Sequence, residues 1–274
     1  KYKAIYSGVE EGFFEVESLD NKHGHISITG KEVIPCIYED GHYFEEGVSP
    51  EKLNGKWGMI NWENETVIPF EYEDIWGCNN NRISAKLNGK WGIIDKFNNT
   101  LIDFKYDEIC NYLTRDCGSM PAKMGDKWGI IDIYGNTLFD FIYDDCDNLN
   151  EKGRYKFKQN GKWAIYNCEK NNFISDFVYD KIDLFVNGIC EVRLNGKDDY
   201  IDETNTPISD FTYDFVHHFY WTNLIAVTKN GKTGLMNTGG KILITPKYKD
   251  VIKYASENML VMEDDNCTQY VVDI

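Results

Sequence analysis

Catalysis and metal binding need nucleophiles, titratable groups or ligands at fixed spacings. Eight cysteines, Cys36, Cys78, Cys110, Cys117, Cys146, Cys168, Cys190 and Cys267, are scattered along the chain with no C-x-x-C pair. Zinc sites and disulfide frameworks show regular spacing, so these are expected to be reduced, structural thiols. Cys117 lies near Arg115, a setting that can activate a thiol, but no histidine accompanies it. His217-His218-Phe219-Tyr220-Trp221 is a local cluster of histidine and aromatic residues. Successive side chains on a strand point to opposite faces, so His217 and His218 are not expected to share a metal. The segment reads either as a filler of a groove between structural units or as an exposed aromatic recognition patch. His217, His218, Phe219, Tyr220, Trp221 and Trp76 form the candidate binding set.

An acid follows tyrosine in nearly every stretch: Asp74, Asp107, Asp144, Asp180, Asp214 and Asp250. Calcium needs several oxygens converging from one loop, whereas each of these acids stands alone beside its tyrosine. They are read as turn residues. Two carboxylates could meet as a glycosidase acid and base, yet with 45 acidic residues such a meeting is unremarkable by chance. There is no glycine-rich phosphate loop and no nucleophile elbow. No catalytic residue, metal or cofactor is expected, and the chain is read as non-enzymatic.

Lys plus Arg number 29 against 45 Asp plus Glu, a formal charge of −16, with no basic cluster. Such a chain repels phosphate backbones and anionic lipid headgroups, so neither nucleic acid nor membrane insertion is expected. No run of about 18 apolar residues exists to span a bilayer. The chain starts at Lys1, as expected of a processed form or a fragment. The thiol usage favours a cytoplasmic setting; export or cell-surface display is the alternative if a signal peptide preceded Lys1.

The elements that must position these residues repeat. Asn-Gly-Lys-Trp-Gly occurs at 54–58 and 88–92, with variants at 125–129 and 160–164, so that Trp57, Trp91, Trp128 and Trp163 are separated by 34, 37 and 35 residues. The same step reaches Asn195-Gly196-Lys197 and Asn230-Gly231-Lys232, where Asp198 and Thr233 replace tryptophan, and backward to Asn21-Lys22-His23-Gly24. The run before each Asn-Gly alternates with the period of a half-buried strand. Asn-Gly is the preferred two-residue hairpin turn, so the Lys-Trp-Gly segment is expected to pair back antiparallel. Asn61, Asp95, Asp132, Asn167, Asp202, Asn237 and Asp273 end the return strands as turn openers. A third strand follows, as in Val67-Ile68-Pro69-Phe70-Glu71-Tyr72, and the pair after the acid could begin a short fourth.

Lys-Trp-Gly-Ile-Ile-Asp after Asn-Gly, with Val-Ile-Pro and Tyr-Asp downstream, resembles the WG-repeat (KWG-repeat) family over essentially the whole chain. The resemblance implies an all-β tandem array, found mostly in bacteria, with no established catalytic activity. We expect an open, twisted β-solenoid or superhelix of antiparallel hairpin and meander units, with a propeller-like ring as the alternative. The units fall roughly at 1–44, 45–78, 79–113, 114–148, 149–184, 185–219 and 220–254, with a terminal half-unit at 255–274, and together make one array.

Ordering a unit of about 35 residues costs on the order of 50 kcal/mol of conformational entropy. One small meander cannot offset that, so neighbours must share a core. Trp57, Trp91, Trp128 and Trp163 are the expected bridges, with Gly58, Gly92 and Gly129 allowing close backbone approach. Surface residues outside the repeat would then decide function: a scaffold for a protein partner, or a glycan-binding or accessory targeting module. As a bridging indole, Trp91→Ala is expected to cost about 3–5 kcal/mol, read as a lower urea midpoint; an unmoved midpoint would place the indole on a binding face.

Overall fold

Asn-Gly turns are the fixed points of the chain. In the computed structural model, which describes residues 1–6, 12–110, 118–150, 153–219, 222–256 and 259–273, Asn54, Asn88, Asn160, Asn195 and Asn230 adopt φ of 51–53° and the following glycines 69–82°. Positive φ at both central residues gives the turn a twist that matches the flanking strands. Register follows at once, with Leu53 opposite Lys56, Leu87 opposite Lys90 and Leu194 opposite Lys197.

The described residues contain no helix and form eight antiparallel meanders whose strand order follows the sequence. They span 2–38, 40–72, 74–106, 108–143, 145–173, 181–202, 215–248 and 250–273. The all-β tandem architecture expected from the sequence is therefore present. The strand after the repeated acid, doubtful from sequence, is real, and it is the first strand of the next sheet: Asp74–Asn79, Asp145–Asn150 and Lys181–Val186 are examples. From the second sheet on, hydrogen bonding thus opens each sheet a few residues ahead of the windows drawn on the tryptophan spacing. Two compact units result, Lys1–Tyr143 with the first four sheets and Asp144–Ile274 with the last four.

Within each unit the apolar core lies between consecutive sheets. Trp57, Met59, Ile68 and Tyr72 of the second sheet pack with Ile75, Cys78, Ile83 and Ala85 of the third. Ile93, Ile102 and Tyr106 pack with Met120 and Ala122 of the fourth. Leu149, Ile165 and Tyr179 meet Ile182, Cys190 and Val192 in the second unit. Trp57 and Trp128 are buried at 6% and 7% exposure, while Trp91 and Trp163 are half-buried, so the full truncation cost belongs to the first two. Each indole also lies opposite a lysine whose ammonium sits 5.4–5.9 Å from the ring: Lys52, Lys86, Lys123 and Lys158. Such pairs add cation–π attraction across the strands. Where tryptophan is lost the partner changes with it. Asp198 faces Arg193, which donates to it twice, at 2.6 and 2.8 Å, and Thr233 faces Thr228 at 3.1 Å.

Two side chains stitch one sheet to the next. The tyrosines ending fourth strands, Tyr38 and Tyr72, and Tyr179 in the same column beyond Asn172–Phe173, donate to the following sheet's turn at Asn64, Asn98 and Asn205, at 2.6–2.8 Å. The acid one residue later accepts the turn N–H of the next hairpin: Glu39 from Gly55, Glu73 from Gly89, Asp107 from Gly125 and Asp214 from Asn230. The turn reading holds for Asp107, Asp144, Asp180 and Asp214; in the third sheet Glu73 takes that role, and Asp74 instead accepts from the Ile75 N–H. The return-strand acids and amides open turns as expected, Asp95 accepting from Phe97 and Asn99 and Asp132 from Tyr134 and Asn136. In the last sheet Asp264 opens the hairpin turn, accepting from Asn266 and Thr268, and the side chain of Asp273 lies outside the described residues. The thiols are not all reduced: Cys168 is disulfide-bonded, while Cys36, Cys78, Cys110, Cys146, Cys190 and Cys267 are outside any disulfide.

The glycine after the tryptophan column, which holds His23 in the first sheet and Thr233 in the seventh, governs the fourth strand. A Cβ there would lie 2.6–2.9 Å from a carbonyl oxygen of that strand at Gly24, Gly58, Gly92 and Gly129, and closer at Gly234. All five sheets carry a seven-residue fourth strand, such as Thr66–Tyr72 and Thr100–Tyr106. Ala164 occupies the position in the fifth sheet, where the fourth strand is reduced to Asn172–Phe173 and an isolated bridge from Tyr179 to Trp163. Asp199 occupies it in the sixth, whose fourth strand is absent among the described residues; its carboxylate instead accepts from the N–H groups of Ser209 and Phe211 and the Ser209 hydroxyl. Gly92→Ala is therefore expected to cost about 1–3 kcal/mol through overpacking and to expose the amides of Thr100–Tyr106 to hydrogen exchange, leaving those of Leu224–Lys229 unchanged.

Candidate functional site

The repeat assigns a structural role to each column of residues, so a column that changes type marks a position released from that role. In the C-terminal unit this happens at the sixth and seventh sheets. Tyr200, on Lys197–Asp202, stands where Met59 and Ile93 stand in earlier sheets, and Glu191 lies directly opposite it on Ile189–Leu194. The Tyr200 hydroxyl donates to Glu191 Oε2 at 3.1 Å and accepts the backbone N–H of His218 at 2.9 Å. Glu191 Oε1 lies 3.4 Å from Lys181 Nζ, which also meets Asp183 at 2.5 Å. These bonds to Asp183 and Glu191 hold the Lys181 ammonium above its ordinary pKa.

Together these residues wall an open cleft of about 430 Å³, lined by Asp183, Leu184, Val186, Glu191, Tyr200 and His218. Leu184 at its lip is 58% exposed. The result is a carboxylate-rimmed trough with an apolar side and a phenol at its base.

The sequence-derived candidates distribute unevenly around it. His217 and His218 do point to opposite faces of Phe215–His218. His217 is exposed, with its ring edge-on to Phe219 at 5.4 Å. His218 is buried, and since its Nε2 lies 2.9 Å from the Thr222 carbonyl oxygen, that nitrogen must carry the proton; the residue contributes a wall of the cleft. Phe219 is half-buried against Leu224, Ala226 and Leu260, so it belongs to the core between sheets. Tyr220 and Trp221 lie outside the described residues, as do Arg115 and Cys117. Trp76 is 49% exposed on Asp74–Asn79, in the N-terminal unit. Asp183, Leu184, Glu191 and Tyr200 were not singled out from the sequence. Aligning the copies column by column would have flagged Tyr200, a polar aromatic in an aliphatic column.

A second break lies in the N-terminal unit, where His25, Ser49 and Glu51 occupy core columns that are apolar in the neighbouring sheets. His25 Nε2 is 2.8 Å from Glu51 Oε1, and their side chains are 2% and 0% exposed. An imidazole, a carboxyl and a hydroxyl are thus brought together, but sealed from any substrate.

Comparison with known proteins agrees with the column pattern. The model of the WG containing repeat matches residues 24–57, 57–91, 91–112, 128–163, 169–197, 200–232 and 234–266. No curated protein matches the chain. Among solved structures, a eukaryotic initiation factor is 12% identical, with a TM-score of 0.48 over 93% of this chain and 79% of that one. Sqt1 of Saccharomyces cerevisiae is 13% identical, with a TM-score of 0.41 over 100% of this chain and 95% of that one. Hsv2 of Kluyveromyces lactis is 9% identical, with a TM-score of 0.38 over 84% and 94%. With the repeat matched along most of its length, and its tryptophan, glycine and tyrosine columns each tied to a defined contact, the chain belongs to the WG-repeat family.

Proposed function

We propose that this chain is a non-catalytic scaffold that binds a protein partner, and that the cleft between the sixth and seventh sheets receives a basic side chain of that partner. The observation that carries this reading is the pairing of exposed Leu184 with Asp183 and Glu191 around Tyr200. A lysine or arginine of a partner has an apolar stem to lie along Leu184 and a cation to meet the carboxylates. Lys181, half exposed itself, holds those carboxylates in the free protein and can swing out to solvent. The formal charge of −16 favours encounter with basic partners. The non-catalytic part of the proposal draws support from the sealing of the His25, Ser49 and Glu51 cluster.

A second reading, glycan binding, is favoured by Phe97 and Tyr134. They occupy equivalent turn positions in consecutive sheets of the N-terminal unit and are 79% and 72% exposed. Flat rings offered to solvent at a regular interval suit stacking on sugars. For the compartment we keep the cytoplasm, supported by six cysteines outside any disulfide; the disulfide at Cys168 is the feature that leans toward export.

Fluorescence anisotropy against a set of short labelled peptides, with Lys or Arg placed beside apolar residues, tests the main reading. Binding should weaken at least tenfold in the double variant Asp183→Lys with Leu184→Ser and stay unchanged in Trp76→Ala. Equal binding by the double variant, or none by the parent chain, rejects the cleft as the docking site. Glycan-array binding lost in Phe97→Ala with Tyr134→Ala would favour the second reading instead.

A further inference from the structure

Four positions at the seam between the first and second sheets depart from the repeat together. His25 stands where Met59, Ile93 and Ile165 stand in later sheets, Ser49 where Ile83, Met120 and Cys190 stand, and Glu51 where Ala85, Ala122 and Val192 stand. Gly41 replaces the isoleucine of Ile75 and Ile182, and the Glu51 carboxyl fills the space a Cβ there would need. Glu51 Oε1 lies 2.8 Å from His25 Nε2 and 3.1 Å from Ser49 Oγ, whose hydroxyl is also 2.7 Å from the His42 carbonyl oxygen. Glu51 Oε2 is buried with no hydrogen-bond partner. The Phe44 ring closes the site edge-on to His25 at 4.9 Å.

A carboxylate charge with one oxygen unsolvated and unpaired is disfavoured in such a place. Glu51 therefore keeps its proton and presents it to His25. Burial holds the Glu51 carboxyl well above the usual carboxylate range and pulls His25 down to about 4. Surrounding groups reinforce this. Glu15 from the first sheet and Asp40 from the second both oppose a negative charge on Glu51, and His23, hydrogen-bonded to Glu15 at 2.6 Å, only partly counters them. Glu17 is occupied by Lys3 and Tyr6, the Tyr38 hydroxyl by Asn64, and the exposed His42 ring stacks on Trp57.

We propose that His25, Ser49 and Glu51 form a proton-holding latch that closes the seam between the first two sheets and releases it as pH rises above neutral. Between the ordinary values of 4.5 for glutamate and 6.5 for histidine, the unfolded pair carries one exchangeable proton, on the imidazole. The folded pair also carries one, on the carboxyl, so stability is flat across that interval. Above 6.5 the unfolded pair loses its proton while the folded pair retains it, so closing the seam takes up a proton. Seam stability then falls about tenfold in equilibrium constant per pH unit until Glu51 ionises. Below 4.5 the unfolded pair gains a second proton, and the folded pair follows at about 4, so the acid side changes little.

Hydrogen exchange of the full chain between pH 6.5 and 8.5, expressed as protection factors, tests the latch. In the parent chain, protection of the His23–Ser27 and Val48–Leu53 amides should fall with rising pH relative to Leu224–Lys229, by up to about tenfold per pH unit. In Glu51→Gln the pH dependence should vanish. Should that variant fail to fold, the combination of His25→Ile, Ser49→Ile and Glu51→Ala, which restores residues of the third and fourth sheets' columns, should also be flat. A flat parent chain, or the same decline in parent and variants, overturns the proposal.

Discussion

At the glycine after tryptophan, the backbones of the third and fourth strands come so close that no side chain fits between them. A β-carbon there would press within 2.6–2.9 Å of a carbonyl oxygen at Gly24, Gly58, Gly92 and Gly129, well inside van der Waals contact. This approach lets the outer strand bulge across the hairpin and carries its last residue, the tyrosine, to the turn of the next sheet. From that tyrosine follow the link to Asn64 or Asn98 and the placement of the neighbouring acid on the next Asn-Gly turn. Where Ala164 and Asp199 intrude, the outer strand shrinks or disappears, and Ser175 and the Asp199 carboxylate take over backbone donors that the ladder would have served.

The second constraint is that a single meander leaves one apolar face bare. Each described core cluster joins residues of two consecutive sheets, so stability resides in the seams more than in the sheets. A seam column that turns polar therefore weakens the array unless its polar atoms find partners. At the first seam His25 and Ser49 are satisfied while one oxygen of Glu51 is not. At the sixth and seventh sheets Tyr200 is satisfied on both sides, by Glu191 and by the His218 backbone, which gives the cleft a rigid base.

Much of this was legible because it is local. Asn-Gly settles a turn within two residues, and the turn settles hairpin register and the face each tryptophan occupies. Asx turns at Asp95 and Asp132 are equally short-range. The first strands were hard to read: Glu108–Ile109 and Asp40–Gly41 are two residues long, too brief to show a period. His217 and His218 drew attention as neighbours in sequence, yet one is a wall and the other a solvent-facing ring. Asp183 and Leu184 drew none, because an acid beside an aliphatic residue is commonplace until something packs beside it.

By itself, then, the amino-acid order determined the repeat, the hairpins, the all-β class and the family. These depend on φ preferences and alternation that act over a few residues, and they recur often enough to be seen against substitution. Only the tertiary structure decided which strand begins a sheet, which tyrosine meets which asparagine, and that His25 and Glu51 share a sealed space 26 residues apart. Those outcomes are set by contacts between sheets, where the energy of a side chain depends on what a neighbouring copy places opposite it, and no spacing rule within one copy carries that information.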